Sequence, residues 1–415
     1  MVVNEHFFRH EAGRLVATLT RLFGVKNLAL AEDVAQDALV RALEVWKLQG
    51  IPDDPSAWLT VAAKRRALDA LRRERNAQRF SPDLTRHIQG DWKLAPALES
   101  HFGALESEFD QLRLMYACCD PRMAATTQTA LFLQLLCGFG VAEIAVAFLT
   151  GEAAMQKRLV RAKALLARRK QLFSLDDASA LAPRLGALQR ALYLLFNEGY
   201  HSASDGPAVR AELCQEAMRL TALLLRHGPS ATPATRALAA LMCLHAARLP
   251  ARLGPEGGLA SLEAQDRSRW DQALLAQGLQ LLEESAAGDE LTVYHLEAAI
   301  ASVHARAPSF TETCWDAIVP LYDALFRLQP GPIVALNRAV AIAQRDGAER
   351  GLQEVHAIVG AERLERYPFF AATLGELELR LGRRAQAELH FREAAGLARN
   401  ASERAFLERR AKEAR

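Results

Sequence analysis

Apolar residues along this chain recur at intervals of three and four, the spacing of a helix face, without sustained β-branched alternation of period two. The pattern predicts an all-α protein. Residues from about Glu5 to Phe23 read as a first helix with Phe7, Leu15, Leu19 and Leu22 inward. A second, from about Ala31 to Trp46, gathers Val34, Ala35, Ala38, Leu39, Ala42, Val45 and Trp46 on a broad apolar side. Opposite them runs a polar, partly acidic stripe of Asp33, Gln36, Asp37, Arg41 and Glu44. After a Gly/Pro loop, Asp54 is placed to cap a third helix whose first residue is Pro55. In that helix, PSAWLTVAAKRRALDALRRERN, the residues Trp58, Leu59, Ala62, Ala63, Ala67 and Leu71 can pack inward, while Arg65, Arg66, Arg72, Arg73 and Arg75 form an outward basic stripe.

Further along, Glu108–Met123 and Thr126–Cys137 supply helices that should buttress a further helix pair. In that pair a short helix offers Ile144, Ala145 and Phe148 to a core, a Gly-containing turn follows, and a long helix offers Met155, Leu159, Ala162 and Leu166. The order suggests a helix-turn-helix, with Leu149 where a small turn residue is common. Ala153, Gln156, Lys157 and Arg161 point away from the core, a face that suits a DNA groove. A solvated basic helix in an ordinary bundle fits the same residues. Trp58 is likewise open to two readings, as core or as a ring that stacks on an unpaired base beside arginines that hold phosphates.

Beyond Phe173 the chain continues as a second architecture. Asp176–Ala187 reads as a short junction, followed by an apolar helix ending in Asn197, Glu198, Tyr200, His201 and Ser202. That cluster suits a structural helix end or interdomain contact, or a small-ligand or regulatory contact. A base and a hydroxyl close in sequence do not make a catalytic triad, so no catalytic residue is assigned and the protein is expected not to be an enzyme. Arg236–Leu249 and Trp270–Glu284 predict further helices around the loop LPARLGPEGG. From about 332 to 400 a repeat emerges. LGELELRLGRRAQAELHFREAAGLA, with Leu374, Gly375, Gly382, Ala387, Phe391 and Ala394, resembles a divergent tetratricopeptide unit, and IVALNRAVAIAQRDGAERGLQEV, with Leu336, Ala339 and Gly347, a weaker one.

Half of the 415 residues are apolar, enough to bury substantial cores in more than one domain. A net charge of +2 conceals a division: 64–79 carries +5 and 156–170 carries +7, so the remainder balances to −10. Basicity confined to two short segments favours a protein that touches a polyanion at two places. Six scattered cysteines show no zinc-ligand spacing and fit a reduced cytoplasmic compartment, with no metal and no cofactor expected. The N-terminus lacks a signal peptide's apolar core, and the most membrane-like run, Thr129–Leu149, is interrupted by Gln134, Gly138, Gly140 and Glu143, so no membrane partner is expected.

AEDVAQDALVRAL, then PSAWLTVAAKRRALDALRRERN, then LRLMYACCDPRM and the helix-turn-helix with MQKRLVRAKALL resemble regions 2 and 4 of bacterial sigma factors of the sigma-70 family, specifically the extracytoplasmic-function group. The resemblance covers roughly residues 5 to 172; a minimal member would end near Phe173, and the remainder is similar to the large helical extension of one subgroup. It implies region 2 over 1–79, a linker over 80–107, region 4 over 108–173 and a helical extension over 174–415. It further implies core RNA polymerase and promoter DNA as partners. Asp33, Gln36, Asp37 and Arg41 match the helix that binds the β′ clamp helices, and region 4 would meet the β flap. Trp58, Arg65, Arg66, Arg72 and Arg73 fall in the helix that opens the −10 element. Glu152, Gln156, Lys157, Arg158 and Arg161 occupy positions that contact the −35 element. The extension, with Asn197, Glu198, Tyr200 and His201, would serve a protein or small-molecule partner. A helix-turn-helix regulator with a tetratricopeptide sensor domain is the alternative, and a scaffold that binds acidic proteins a third.

Overall fold

The computed structural model describes residues 5–76, 104–148, 150–168, 175, 177–201, 209–252 and 258–415. All-α architecture is observed throughout them, with no strand among the described residues. The chain divides into two compact units, Met1–Leu195 and Phe196–Arg415.

In the first unit, α1 (Glu5–Phe23) is the central helix, packed against α2 (Leu28–Gln49), α3 (Pro55–Asn76), α4 (Ala104–Cys118) and α5 (Ala125–Cys137). Leu15, Ala17 and Leu19 are wholly buried. Polar ties fix its neighbours. Buried Glu11 accepts from Ser56 Oγ at 3.0 Å, and Arg14 donates to Glu11 at 2.6 Å and to Thr60 Oγ1 at 2.8 Å, which holds the start of α3. Burial pushes the Glu11 carboxyl up, but His10 and Arg14 outweigh it and hold it below its ordinary value. As expected, Asp54 caps α3, accepting from the Ala57 amide at 2.9 Å. On the other side α1 meets α5 so closely that Gly13 lies directly against the Leu136 carbonyl.

After α5 come the short α6 (Val141–Ala147) and the longer α7 (Glu152–Ala167). Met155, Leu159, Ala162 and Leu166 are all buried, as are Ile144 and Ala145; Phe148 is half-buried. Leu149 and residues 80–103 of the linker expected over 80–107 lie outside the described residues, and 104–107 belong to α4. The expected junction over 176–187 is corrected: α8 (Ala178–Tyr200) already begins there. Asp177 caps it through the Ala180 amide, and Leu181, Leu185, Leu188 and Leu192 form one buried stripe through Pro183, so packing overrides the break that the proline suggests. Arg184 of α8 donates to the Cys119 carbonyl at the end of α4. Cys118 and Cys119 are fully buried, and burial pushes the Cys119 thiol up to about 12, which leaves it unreactive.

The second unit is a succession of helix hairpins: α9 (Ala211–Arg226), α10 (Pro233–Ala246), the single turn α11 (Leu249–Arg252), α12 (Gln272–Ser285), α13 (Val293–Arg306), α14 (Trp315–Leu328), α15 (Pro332–Asp346), α16 (Ala348–His356), α17 (Pro368–Arg380), α18 (Arg384–Gly396) and α19 (Ala401–Glu413). Gly347 and Gly382 stand at the turns of the α15–α16 and α17–α18 hairpins with φ of 97° and 76°, left-handed values that favour glycine. Leu336, Ala339, Ala343, Leu352, Val355 and Leu377 fill the core they share.

Candidate nucleic-acid interface

The stripe on α2 is exposed as its periodicity predicts: Asp33, Gln36, Asp37, Arg41 and Glu44 all face solvent, while Val34, Ala35, Ala38, Ala42 and Trp46 are buried behind them. The structure adds apolar residues that the sequence reading leaves out. Val40 and Leu43 are 47% and 56% exposed within this stripe, and Leu48 is 85% exposed beyond it. Charged residues interleaved with uncovered aliphatic ones make a docking face better than a solvated stripe does. Their positions one turn apart were readable, but the sequence reading assigned Val40 and Leu43 to neither side of α2.

On α3, Arg65 and Arg66 are exposed. Arg66 pairs with Asp37 at 2.9 Å, so the acidic stripe of α2 and the basic stripe of α3 meet along one edge. Arg72 and Arg73 lie outside the residues whose side chains are described. Trp58 is half-buried, its ring 5.5 Å from Trp46 in an aromatic group that includes Phe7 and Phe8. It is therefore partly a packing residue of α3 against α2.

α7 presents Glu152, Ala153, Gln156, Lys157 and Arg161 to solvent, with Arg158 half-buried. Lys157, Arg158 and Arg161 line one open groove of about 480 Å³ between α7 and the α4–α5 connection, where Met123 and Thr127 form the opposite wall. A groove with three cations and no acid attracts a phosphate backbone. One further cation of this helix is used internally: Lys163 donates to Glu32 of α2 at 2.6 Å, and Arg9 of α1 pairs with Glu143 of α6 at 3.0 Å. Burial raises the Glu32 carboxyl despite that lysine. These ties place α6 against α1 and α7 against α2, a neighbourhood that no local pattern discloses.

In the second unit Tyr200 is buried, Asn197 and Glu198 are half-buried and His201 is exposed at the end of α8. Tyr200 and His201 come together with Arg252, whose guanidinium lies 4.1 Å from the centre of the Tyr200 ring and donates to His201 Nδ1 at 3.0 Å. Among the described residues no group of three or more metal-ligating side chains is placed to hold an ion, and no helix is long and apolar enough to cross a membrane.

Residues 7–77, which form α1 to α3, match the family model Sigma-70 region 2. Residues 184–286 match a family of unknown function (DUF6596). An uncharacterized protein of Rhizobium meliloti (strain 1021) is 40% identical to the chain over 396 residues, covering 94% of this chain and 91% of that protein. The three-helix arrangement with its outward acidic and basic stripes is thus a sigma-70 region 2, which implies core RNA polymerase and promoter DNA as partners and a non-enzymatic part in transcription. The chain is a member of the sigma-70 family, of one family with the Rhizobium meliloti protein, and has a sigma-factor-like role in transcription initiation.

Proposed function

We propose that the chain is an alternative sigma factor of the extracytoplasmic-function group, acting in the cytoplasm. The stripe Asp33, Gln36, Asp37 and Arg41 docks on the β′ clamp helices of core polymerase. α3 opens the −10 element and holds the unpaired strand on Arg65, Arg66, Arg72 and Arg73, beside Trp58. α6 and α7 act as the helix-turn-helix of region 4, meeting the β flap and reading the −35 element through Glu152, Gln156, Lys157, Arg158 and Arg161. The second unit is a regulatory or partner-binding module, and its hairpins with glycine at 347 and 382 support the tetratricopeptide-like assignment.

The observation that carries this reading is the pairing, in one unit, of a matched region 2 with a second helix pair whose long helix buries Met155, Leu159, Ala162 and Leu166 and exposes Lys157 and Arg161. Run-off transcription with purified core polymerase on promoter DNA tests it: product appears only when the chain is added. Duplex binding without initiation would instead identify a helix-turn-helix regulator.

The docking face has its own test. Asp37→Arg is expected to weaken core binding about tenfold or more in a pull-down or fluorescence titration, as charge reversal at a steered interface does. The Asp37–Arg66 pair is exposed on both sides, so its loss changes stability by about 1 kcal/mol or less and does not mimic unfolding. Unchanged core affinity would remove α2 from the interface.

A further inference from the structure

Among the described residues, three arginines of the second unit, one buried and two half-buried, form no ion pair. Arg252, only 7% exposed, lies over the Tyr200 ring and meets His201. Arg248 donates to the neutral Gln265 at 3.2 Å and lies 5.6 Å from the centre of the Trp270 ring. Arg267 lies 4.6 Å from the same ring centre and donates to the His304 and Ala307 carbonyls. Elsewhere in the chain buried or half-buried arginines find acids, as Arg338 does with Asp323 and Glu354 and Arg399 with Glu403. Here three arginines and three histidines converge, with carbonyls, an amide and aromatic faces as their partners.

The same cluster concentrates unmet hydrogen-bonding capacity. Among the described residues, eleven buried side-chain nitrogens or oxygens lack a partner, and six of them are here: Tyr200 Oη, His245 Nδ1, Arg252 Nε, Arg267 Nη2, Trp270 Nε1 and His304 Nδ1. Each such group costs free energy when buried unpaired, and four of the six (the tyrosine hydroxyl, the arginine nitrogens and the indole) can donate. His245 and Tyr200 stand 5.1 Å apart by ring centres, and His304 lies 5.3 Å from Trp315, so the chain of contacts is continuous from α8 to α14.

A cavity of about 950 Å³ shares a wall with this cluster. His304 lines it together with Phe310, Trp315, Tyr322 and Phe406, Asn337 and Gln344 supply polar contacts, and Glu263, Arg409 and Arg410 with its partners Glu376 and Glu413 form a charged rim. The loop over 258–264 borders it and is tied to the cluster by the Ala260 amide, which donates to the Arg252 carbonyl at 2.9 Å. Aromatic side chains beside guanidinium groups that form no ion pair suit a molecule with a flat apolar body and an anionic head.

We infer that the second unit holds a small organic anion, its carboxylate or phosphoryl group seated on Arg248, Arg252 and Arg267 and its body directed past His304 into the neighbouring cavity. The site gives the module a chemical input of its own, and it stands whether or not the first unit initiates transcription.

The full-length chain is titrated with sodium benzoate and, separately, with inorganic phosphate at constant ionic strength set by sodium chloride. Tryptophan fluorescence, with Trp270 inside the cluster and Trp315 on the cavity wall, reports binding. Benzoate or phosphate is expected to give a saturable change, and Arg252→Met to weaken it by roughly tenfold or more, the scale of a charge-assisted hydrogen bond lost from a buried anion. Saturation by benzoate alone assigns a carboxylate ligand, and by phosphate alone a phosphoryl ligand. Arg267→Gln serves as a second variant should Arg252→Met not retain the helical circular dichroism of the parent. Responses that follow ionic strength equally in parent and variants would overturn the site, leaving the reading of region 2 untouched.

Discussion

Replacing Gly13 by alanine is expected to destabilise the first unit by about 2 kcal/mol, although the same change on an open helix face gains about 1 kcal/mol. A Cβ at position 13 would stand 2.0 Å from the Leu136 carbonyl oxygen and 2.7 Å from its carbon. Those are backbone atoms of α5, so no side chain can rotate aside and the two helices must separate. Overpacking of this kind costs about 3 kcal/mol, which exceeds the gain in propensity. Urea unfolding of the parent and the variant measures it, and the sign alone decides: a more stable Gly13→Ala protein would mean that α1 and α5 do not approach as described. Valine at the same position should be worse, since its branched side chain adds volume at the point of contact.

Acidification should act on the second unit. Burial, then Arg248 and Arg267, hold His304 down at about 4, and burial, with Arg248, His201, Arg252 and His304 around it, holds His245 well below its ordinary value. In the unfolded chain both rings titrate near 6.5. Between that value and the folded ones the unfolded state binds more protons. The stabilisation is therefore complete above pH 6.5 and is lost as pH falls toward 4. Each histidine contributes a slope of about 1.4 kcal/mol per pH unit within that window. Hydrogen exchange of the α10 and α13 amides at pH 7.5, 6.5 and 5.5 should show protection falling over the last step, before carboxylates titrate. His304→Gln should remove its share of the loss. Protection that stays level to pH 5.5 would show these rings to be hydrated and free to charge.

Much of this architecture was legible because it is local. The buried face of α7 follows from Met155, Leu159, Ala162 and Leu166, and the exposed stripe of α2 from residues within three turns; each is decided by the helix that carries it. The Asp54 cap is equally local. What the pattern missed joins residues far apart in sequence. Glu32 and Lys163 are 131 positions apart, and nothing near either marks the other as its partner. Arg248, Arg252 and Arg267 sit in segments that read as helix end and loop, and a loop arginine is ordinarily solvated; only the closing of α8, α10 and α13 around them removes the water. The start of α8 was read as a junction, although Leu181, Leu185, Leu188 and Leu192 already lie there on one buried stripe.

The Lys163–Glu32 ion pair sets a limit on reach. Following α7 from Lys157 to Lys163, crossing to Glu32, then along α2 to Asp37 and over to Arg66 covers roughly 40 Å at 1.5 Å per helical residue plus two side-chain crossings. Elements named −10 and −35 lie about 25 base pairs apart, roughly 85 Å of duplex at 3.4 Å per step. A unit fastened in this way is too short a ruler for both at once. For the proposed sigma factor to span a promoter, Glu32 must surrender Lys163, and the phosphates of the upstream element are the competing anions that can take it.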